Sequence, residues 1–307
     1  MSGVDGRAAG GAAVGLAACL WGTWPLYVRS GGQDGLVVGF LTMAVMALPA
    51  VWLAPRADFR DRGAVLALVV VGLADAANVA LYFSALERGP LVVAVLTHYL
   101  APLLVALLAP RVLREPPSRR ARLSLPVMML GLFLVLPSGP ATGSALSSGL
   151  LGTGSAVFYA VLVLASRRAS ARFTPLAVVS LHSVVSAALL LAVFGARALP
   201  SKLDAGVALL VAGAVANGLV GAWLFNVGLP RIGAQLTGVL TYLEPHVASV
   251  VSIAVVGESF SAPTLVGLVA LRSAGGVLPV GVRESRCQHD VVPSPRRGGR
   301  WRSSRRC

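Results

Sequence analysis

The stretch Thr97-His98-Tyr99-Leu100-Ala101-Pro102 has a counterpart 143 residues further on, Leu240-Thr241-Tyr242-Leu243-Glu244-Pro245. The same offset, with no gap, carries Arg88 onto Arg231, Glu115 onto Glu258 and Ser118 onto Ser261. Both copies sit in long apolar runs, so the duplicated unit is a set of hydrophobic segments. A duplicated half within a chain of membrane spans points to a carrier built from two related halves.

Composition supports the membrane reading. The 307 residues are 56% hydrophobic and 12% charged, against about 25% charged in a soluble domain. Mean hydropathy is +0.79. The apolar runs are about 20 residues long and lack period-2 alternation, so they predict spanning helices and not barrel strands. Ten spans are expected, at 10–28, 35–54, 64–86, 90–109, 123–137, 146–166, 174–195, 205–228, 233–256 and 263–282. The breaks between them carry Pro, Gly and charge, as in Pro55-Arg56, Arg88-Gly89-Pro90 and Ser138-Gly139-Pro140.

The expected fold class is an all-α membrane protein of ten transmembrane helices. Its organisation would be a cytoplasmic N-terminus (1–9), a first repeat (10–137), a linker (138–145), a second repeat (146–282) and a basic disordered tail (283–307). Each repeat contains five spans. Five is odd, so the second copy enters the membrane from the opposite side. The expected relation is an inverted pair about an axis in the membrane plane.

The net charge of +14 raises nucleic acid as a partner, but the basic residues lie between spans and in the tail, with no basic domain interleaved with aromatics. No nucleic-acid partner is expected. Placing the N-terminus inside gathers Arg7, Arg56, Arg60, Arg62, Arg111, Arg114, Arg119, Arg120, Arg122, Arg167, Arg168 and Arg172 on the cytoplasmic side. Arg29, Arg88, Arg197, Lys202 and Arg231 are then expected outside. That bias predicts a multi-pass protein of the plasma or inner membrane with both termini cytoplasmic. The basic tail suits disorder or anionic lipid. A change of reading frame near Leu271 is a third reading, which would also explain Arg272 within a span. Cys19, Cys287 and Cys307 have no disulfide or metal spacing. A signal peptide is not expected.

Polar groups at mid-span mark candidate sites, because the bilayer penalises them. Asp75 and Asn78 are three apart and share a helix face. Asp75 reads either as a cation or proton site or as a structural hydrogen-bond partner. His98 and Tyr99 sit midway along the fourth span, His182 in the seventh, Asn217 and Asn226 in the eighth. Tyr242, Glu244 and His246 lie in the ninth, where Pro245 deprives the Thr241 carbonyl of its usual donor. Trp21, Tyr159 and Trp223 are candidates to line an amphipathic pocket. The expected substrate-binding set is therefore Trp21, Asp75, Asn78, His98, Tyr99, Tyr159, Asn217, Trp223, Tyr242, Glu244 and His246. Glu115 and Glu258, at span ends, are expected to cap helices or pair with loop Arg.

Several motifs together resemble a known group. Leu20-Trp21-Gly22-Thr23 opens the first span. Tyr82-Phe83-Ser84-Ala85-Leu86, Pro102 and Arg114-Glu115 follow in the first copy, and Trp223-Leu224-Phe225-Asn226, Glu244-Pro245 and Gly257-Glu258 in the second. Over about residues 10 to 271 the chain resembles ten-span members of the drug/metabolite transporter superfamily, with two EamA-type domains. It departs in the second span, where Phe40-Leu41-Thr42-Met43 lacks the arginine often found there. The resemblance implies export or exchange of small organic metabolites, amino-acid-like or drug-like. The sequence itself offers no ATP-driven step. Gly152-Thr153-Gly154-Ser155-Ala156 lies within a span and lacks the lysine of a phosphate loop.

Neither an enzyme nor a cofactor or metal is expected. The expected partners are a small-molecule metabolite, membrane lipid and, for coupling, a proton. A homodimer is compatible with this reading. The alternatives are an uncoupled facilitator or channel for small solutes, and a non-transporting membrane scaffold.

Overall fold

A computed structural model describes residues 3–88, 91–116, 126–127, 129–130 and 144–256. Among the described residues the regular structure is helical, with no strand. Long apolar runs can satisfy their backbone groups in lipid only within the segment, and a helix does this.

The first span is α1 (Gly3–Trp21) followed by α2 (Trp24–Gly31). They part at Gly22-Thr23, where the Thr23 hydroxyl turns back to donate to the Leu20 carbonyl at 2.6 Å. α3 (Gly35–Ala47) and the short α4 (Ala50–Leu53) flank Leu48-Pro49. α5 (Arg62–Arg88) is one unbroken helix of 27 residues. α6 (Leu91–His98) and α7 (Ala101–Val112) follow. In the second half come α8 (Ala145–Ala169) and α9 (Pro175–Phe194). Thr174 caps α9 by accepting the Ala177 N–H, and Pro175 takes the first helical position, where its missing donor costs nothing. α10 (Ala205–Gly213), capped by Asp204, runs through a π-helical segment (Ala214–Gly221) into α11 (Ala222–Ile232). α12 (Ala234–Thr241) and α13 (Leu243–Val256) complete the described chain.

Among the described residues, six segments are long and apolar enough to cross a membrane: Asp5–Val28, Gly35–Arg56, Arg62–Leu86, Ala145–Ala169, Pro175–Ala198 and Ala205–Ile232. The expected fourth and ninth spans are each two half-helices, the break foreseen at Pro245 recurring at Pro102. Pro102 and Pro245 lie in the first turn of the second half-helix in each case. A proline there starts a helix readily but cannot continue one, so the joint falls just before it, at Tyr99-Leu100 in one copy and at Tyr242 in the other. Apart from four residues of the fifth, the expected fifth and tenth spans lie outside the described residues, as do Glu258 and the tail.

Polarity is inverted relative to a soluble protein. Leu16, Trp52, Leu66, Leu146, Leu150 and Val193 are exposed on the outside. Asp75, Asn78, Ser155, His182, Ser186, Asn217 and Thr237 are buried within. Lipid tails accept the first set, and helix–helix hydrogen bonds accept the second.

Both halves contribute to a single core. α5 packs along α8, α1 along α11, and α9 against both α3 and α5, while α7 meets α12. Val14, Val105, Val163, Phe225 and Leu229 fill the space where α1, α7, α8 and α11 converge. Close approach is specific at two glycines. A Cβ on Gly152 of α8 would stand 2.0 Å from Thr97 Oγ1 of α6, and one on Gly72 of α5 would stand 2.7 Å from the His182 carbonyl of α9.

At one end of the bundle, Glu115 accepts the Ala234 N–H with both oxygens, at 3.2 and 3.0 Å, and pairs with Arg167 at 3.3 Å. Capping and pairing are thus combined in one carboxylate. It sits at the start of α12, where the helix dipole favours negative charge. Arg231 belongs to this end: a Cβ on Gly10 of α1 would meet the Arg231 side chain. This corrects its expected grouping with Arg29 and Arg88.

The same end holds Asp61, which accepts from the Ala64 N–H at 3.1 Å and from Arg172 at 2.9 Å. Hydrogen bonding to the Ala64 backbone and then to Arg172 holds its carboxyl below the usual carboxylate range. A depressed folded-state value stabilises above the unfolded pKa, and that contribution is lost as pH falls through the folded one. Thermal unfolding in detergent should therefore show the wild type losing more stability than Asp61→Asn on acidification below about pH 4. Parallel acid profiles would contradict this.

Candidate transport cavity

The two half-helix joints meet at the centre of the bundle. Tyr99 opens the turn after α6, and Tyr242 occupies the matching position after α12. Their rings lie 5.7 Å apart, and the Tyr242 hydroxyl donates to the Tyr99 carbonyl at 2.7 Å. Repeat mates separated by 143 residues are therefore in direct contact. A buried tyrosine hydroxyl needs a partner. The carbonyl comes from a joint where the regular helical ladder is interrupted.

Beside this contact lies a cavity of about 10 Å³ lined by His98, Tyr99, Ala101, Pro102, Tyr159, Thr241 and Glu244. That is room for about one water molecule. Glu244 is the one carboxylate in the lining, within hydrogen-bonding reach of the Tyr99 hydroxyl. His98 is surrounded by aromatic rings: Tyr82 at 4.3 Å, Tyr99 at 5.5 Å and Tyr159 at 5.6 Å between centroids.

Hydrogen bonding fixes the imidazole. Ser155 Oγ donates to Asn78 Oδ1 at 2.8 Å, so its contact with His98 Nδ1, also 2.8 Å, takes the hydrogen from the ring. Asn78 thus supports the cavity from behind, through α8. Three residues before it on α5, Asp75 pairs with His182 of α9 at 3.1 Å. Tyr159 lies close enough to both Asp75 and Glu244 for their charges to act on its hydroxyl.

The remaining sequence candidates lie elsewhere. The Trp21 indole donates to the Asn217 carbonyl at 2.8 Å, and the Thr23 hydroxyl, which donates to the Leu20 carbonyl, lies 3.2 Å from Asn217 Oδ1. This ties the joint of the first span to the π-helical segment of the eighth. Asn217 Nδ2 is buried without a hydrogen-bond partner among the described residues. Such π segments free backbone groups for other contacts. Asn226 donates to the Ala222 carbonyl of its own helix. Trp223 is 41% exposed on the outside of the bundle. His246 is two residues past Glu244, half-buried, and so points away from Glu244's face. His182 was visible in the sequence only as a polar residue in the seventh span. Its partner is 107 residues away, and no local pattern joins them.

A multi-pass helical bundle of this kind, apolar outside and with a polar cavity between broken helices, defines the class of membrane transporters of small solutes. Family comparison identifies which. The chain matches the EamA-like transporter family twice, over residues 9–136 and 146–274. It belongs to that family, as an EamA-type drug/metabolite transporter with two EamA domains. It is 27% identical over 275 residues to an uncharacterized transporter of Archaeoglobus fulgidus, an alignment covering 84% of this chain and 92% of the relative. A solved crystal structure of 23% identity matches its fold with a TM-score of 0.74, covering 88% of this chain and 97% of the other.

Proposed function

We propose that the protein is a secondary transporter of the plasma or inner membrane that exports or exchanges small organic metabolites bearing an amino group, by alternating access. Two inverted five-helix repeats would rock about the central cavity, with both termini cytoplasmic. The observation that carries this reading is the meeting of the Tyr99 and Tyr242 joints beside the one lining carboxylate, Glu244. A carboxylate among tyrosine faces suits an ammonium group, through charge and through the ring quadrupole.

The helix boundaries support the repeat. The 143-residue offset carries Leu91–His98 onto Ala234–Thr241, and Arg62–Arg88 nearly onto Ala205–Ile232. The packing supports it too. Exchanging the halves turns the α5–α8 contact into α1–α11 and the α6–α8 contact into α1–α12, while α3–α9 maps onto itself. Inversion is supported by the ends: α5 begins beside the Asp61–Arg172 pair, whereas α10, its mate, begins at the other end beside Gly31.

The small cavity favours a carrier over a channel. A metabolite enters only when the half-helices part, so the described conformation is the closed one. The test is a metabolite-export screen of overexpressing cells against empty vector, followed by proteoliposome flux of the solutes found. Saturable flux of an amine-bearing solute is expected. Flux of no solute, or non-saturating flux of any small solute, would overturn the reading.

A further inference from the structure

Asp75 of α5 and His182 of α9 face each other across the two halves, 7% and 4% exposed. Both ring nitrogens of His182 are engaged. Nδ1 lies 2.6 Å from the Val178 carbonyl one turn back on the same helix. That oxygen only accepts, so Nδ1 carries a hydrogen. Nε2 lies 3.1 Å from Asp75 Oδ2. A neutral ring with its hydrogen on Nδ1 offers only a lone pair at Nε2, and an ionised carboxylate offers only lone pairs. A hydrogen bond between them requires one further proton, on the carboxyl or on the ring. Ser183 does not supply it: its hydroxyl is 3.4 Å from Nε2 and donates to the Val179 carbonyl at 2.7 Å. With that proton the pair is net neutral, which suits its burial. Without it, a carboxylate faces a lone pair in a low-dielectric interior.

From this geometry we infer that Asp75 and His182 form a proton-binding site between the halves, whose loading and release accompany transport. The inference rests on the transporter reading above. The proton arrives from water on one side, forming an O–H bond at Asp75 Oδ2 or an N–H bond at His182 Nε2. Release breaks that bond and passes the proton to water on the other side. The discharged pair repels, and it does so where α5 and α9 are in contact. Ser186 Oγ donates to the Gly72 carbonyl at 2.9 Å at that interface.

Among the described residues, few groups surround the pair. Tyr159 of α8, which lines the solute cavity, is within electrostatic reach of both Asp75 and Glu244. Asn78 leads through Ser155 to His98. α3 brings Met43 and Met46 against α9, and the π segment with α11 brings Leu219 and Ala222, none of them titratable.

The first test needs no transport. Spectra of ¹⁵N-histidine-labelled protein in lipid nanodiscs, with His182→Gln to assign the signal, are recorded between about pH 5 and 9. The expected result is a change at His182 Nε2 with Nδ1 protonated throughout, and its disappearance or displacement in Asp75→Asn. A His182 spectrum unchanged across that range would overturn the proposal. The second test is proteoliposome flux with and without an imposed pH gradient. The gradient should stimulate wild-type flux about tenfold. Asp75→Asn and His182→Gln should lose that stimulation, and the exchange Asp75→His with His182→Asp should restore part of it. Equal stimulation in the single variants would overturn the proposal. If the wild type moves no solute, the transport reading fails, and the nanodisc titration still decides the proton site.

Discussion

Glu244→Gln should lower the kcat/KM of amine-solute flux by about a hundredfold in proteoliposomes, with the folded yield unchanged. The glutamine keeps the shape and a carbonyl oxygen where the carboxylate stood. What disappears is the one carboxylate of the cavity lining. Truncating one member of a buried charge pair costs about 2–5 kcal/mol, and about 1.4 kcal/mol is a factor of ten. About 2.8 kcal/mol, within that range, gives the hundredfold loss. The loss should fall on kcat/KM for solutes with an amino group and spare any neutral analogue that is carried. A change below about threefold for the amine would place the recognition elsewhere.

Gly152→Val should be the most damaging substitution for the bundle. The first added carbon would lie 2.0 Å from Thr97 Oγ1 and 2.9 Å from the Ala94 carbonyl, which belongs to the backbone and cannot turn aside. α6 and α8 must separate. That strains a packed interface at about 1–3 kcal/mol, and it pulls His98 off Ser155, whose bond is 2.8 Å. Thermal unfolding in detergent should fall by about 5–10 °C. Gly15→Ala is the control, because a Cβ there meets nothing within 4 Å. Its effect should stay within about 0.5 kcal/mol. Equal behaviour of the two variants would mean that α6 and α8 are not in contact at Gly152.

Much of the fold can be read from one offset, because helix limits are local properties. The pattern Tyr-Leu-x-Pro carries its own joint, since a proline starts a half-helix wherever it falls. The sequence reading draws that break at Pro245 and not at Pro102, where the same proline rule applies. The π-helical segment is another matter. Ala-Val-Ala-Asn-Gly-Leu-Val-Gly is an ordinary small-residue stretch, and its extra residue per turn goes with a contact from a distant helix, the Trp21 indole donating to the Asn217 carbonyl.

The cavity was legible only in part. His98, Tyr99, Tyr159 and Glu244 stood out as polar or aromatic residues at mid-span, and they converge. Trp223 stood out equally but is exposed outside, because periodicity in an apolar helix does not say which face meets lipid. The Asp75–His182 pair depends on how α9 is turned against α5, which packing decides.

The central claim is a cavity that opens to each side in turn. Ala101→Cys, in a chain whose Cys19, Cys287 and Cys307 are replaced by serine, places a thiol in the cavity lining. The measurement is its labelling by a membrane-impermeant maleimide added to one face at a time, in right-side-out and inside-out vesicles. Alternating access predicts labelling from both faces, slowed on each by the transported solute. Labelling from one face alone, or labelling that the solute does not slow on either, would contradict it.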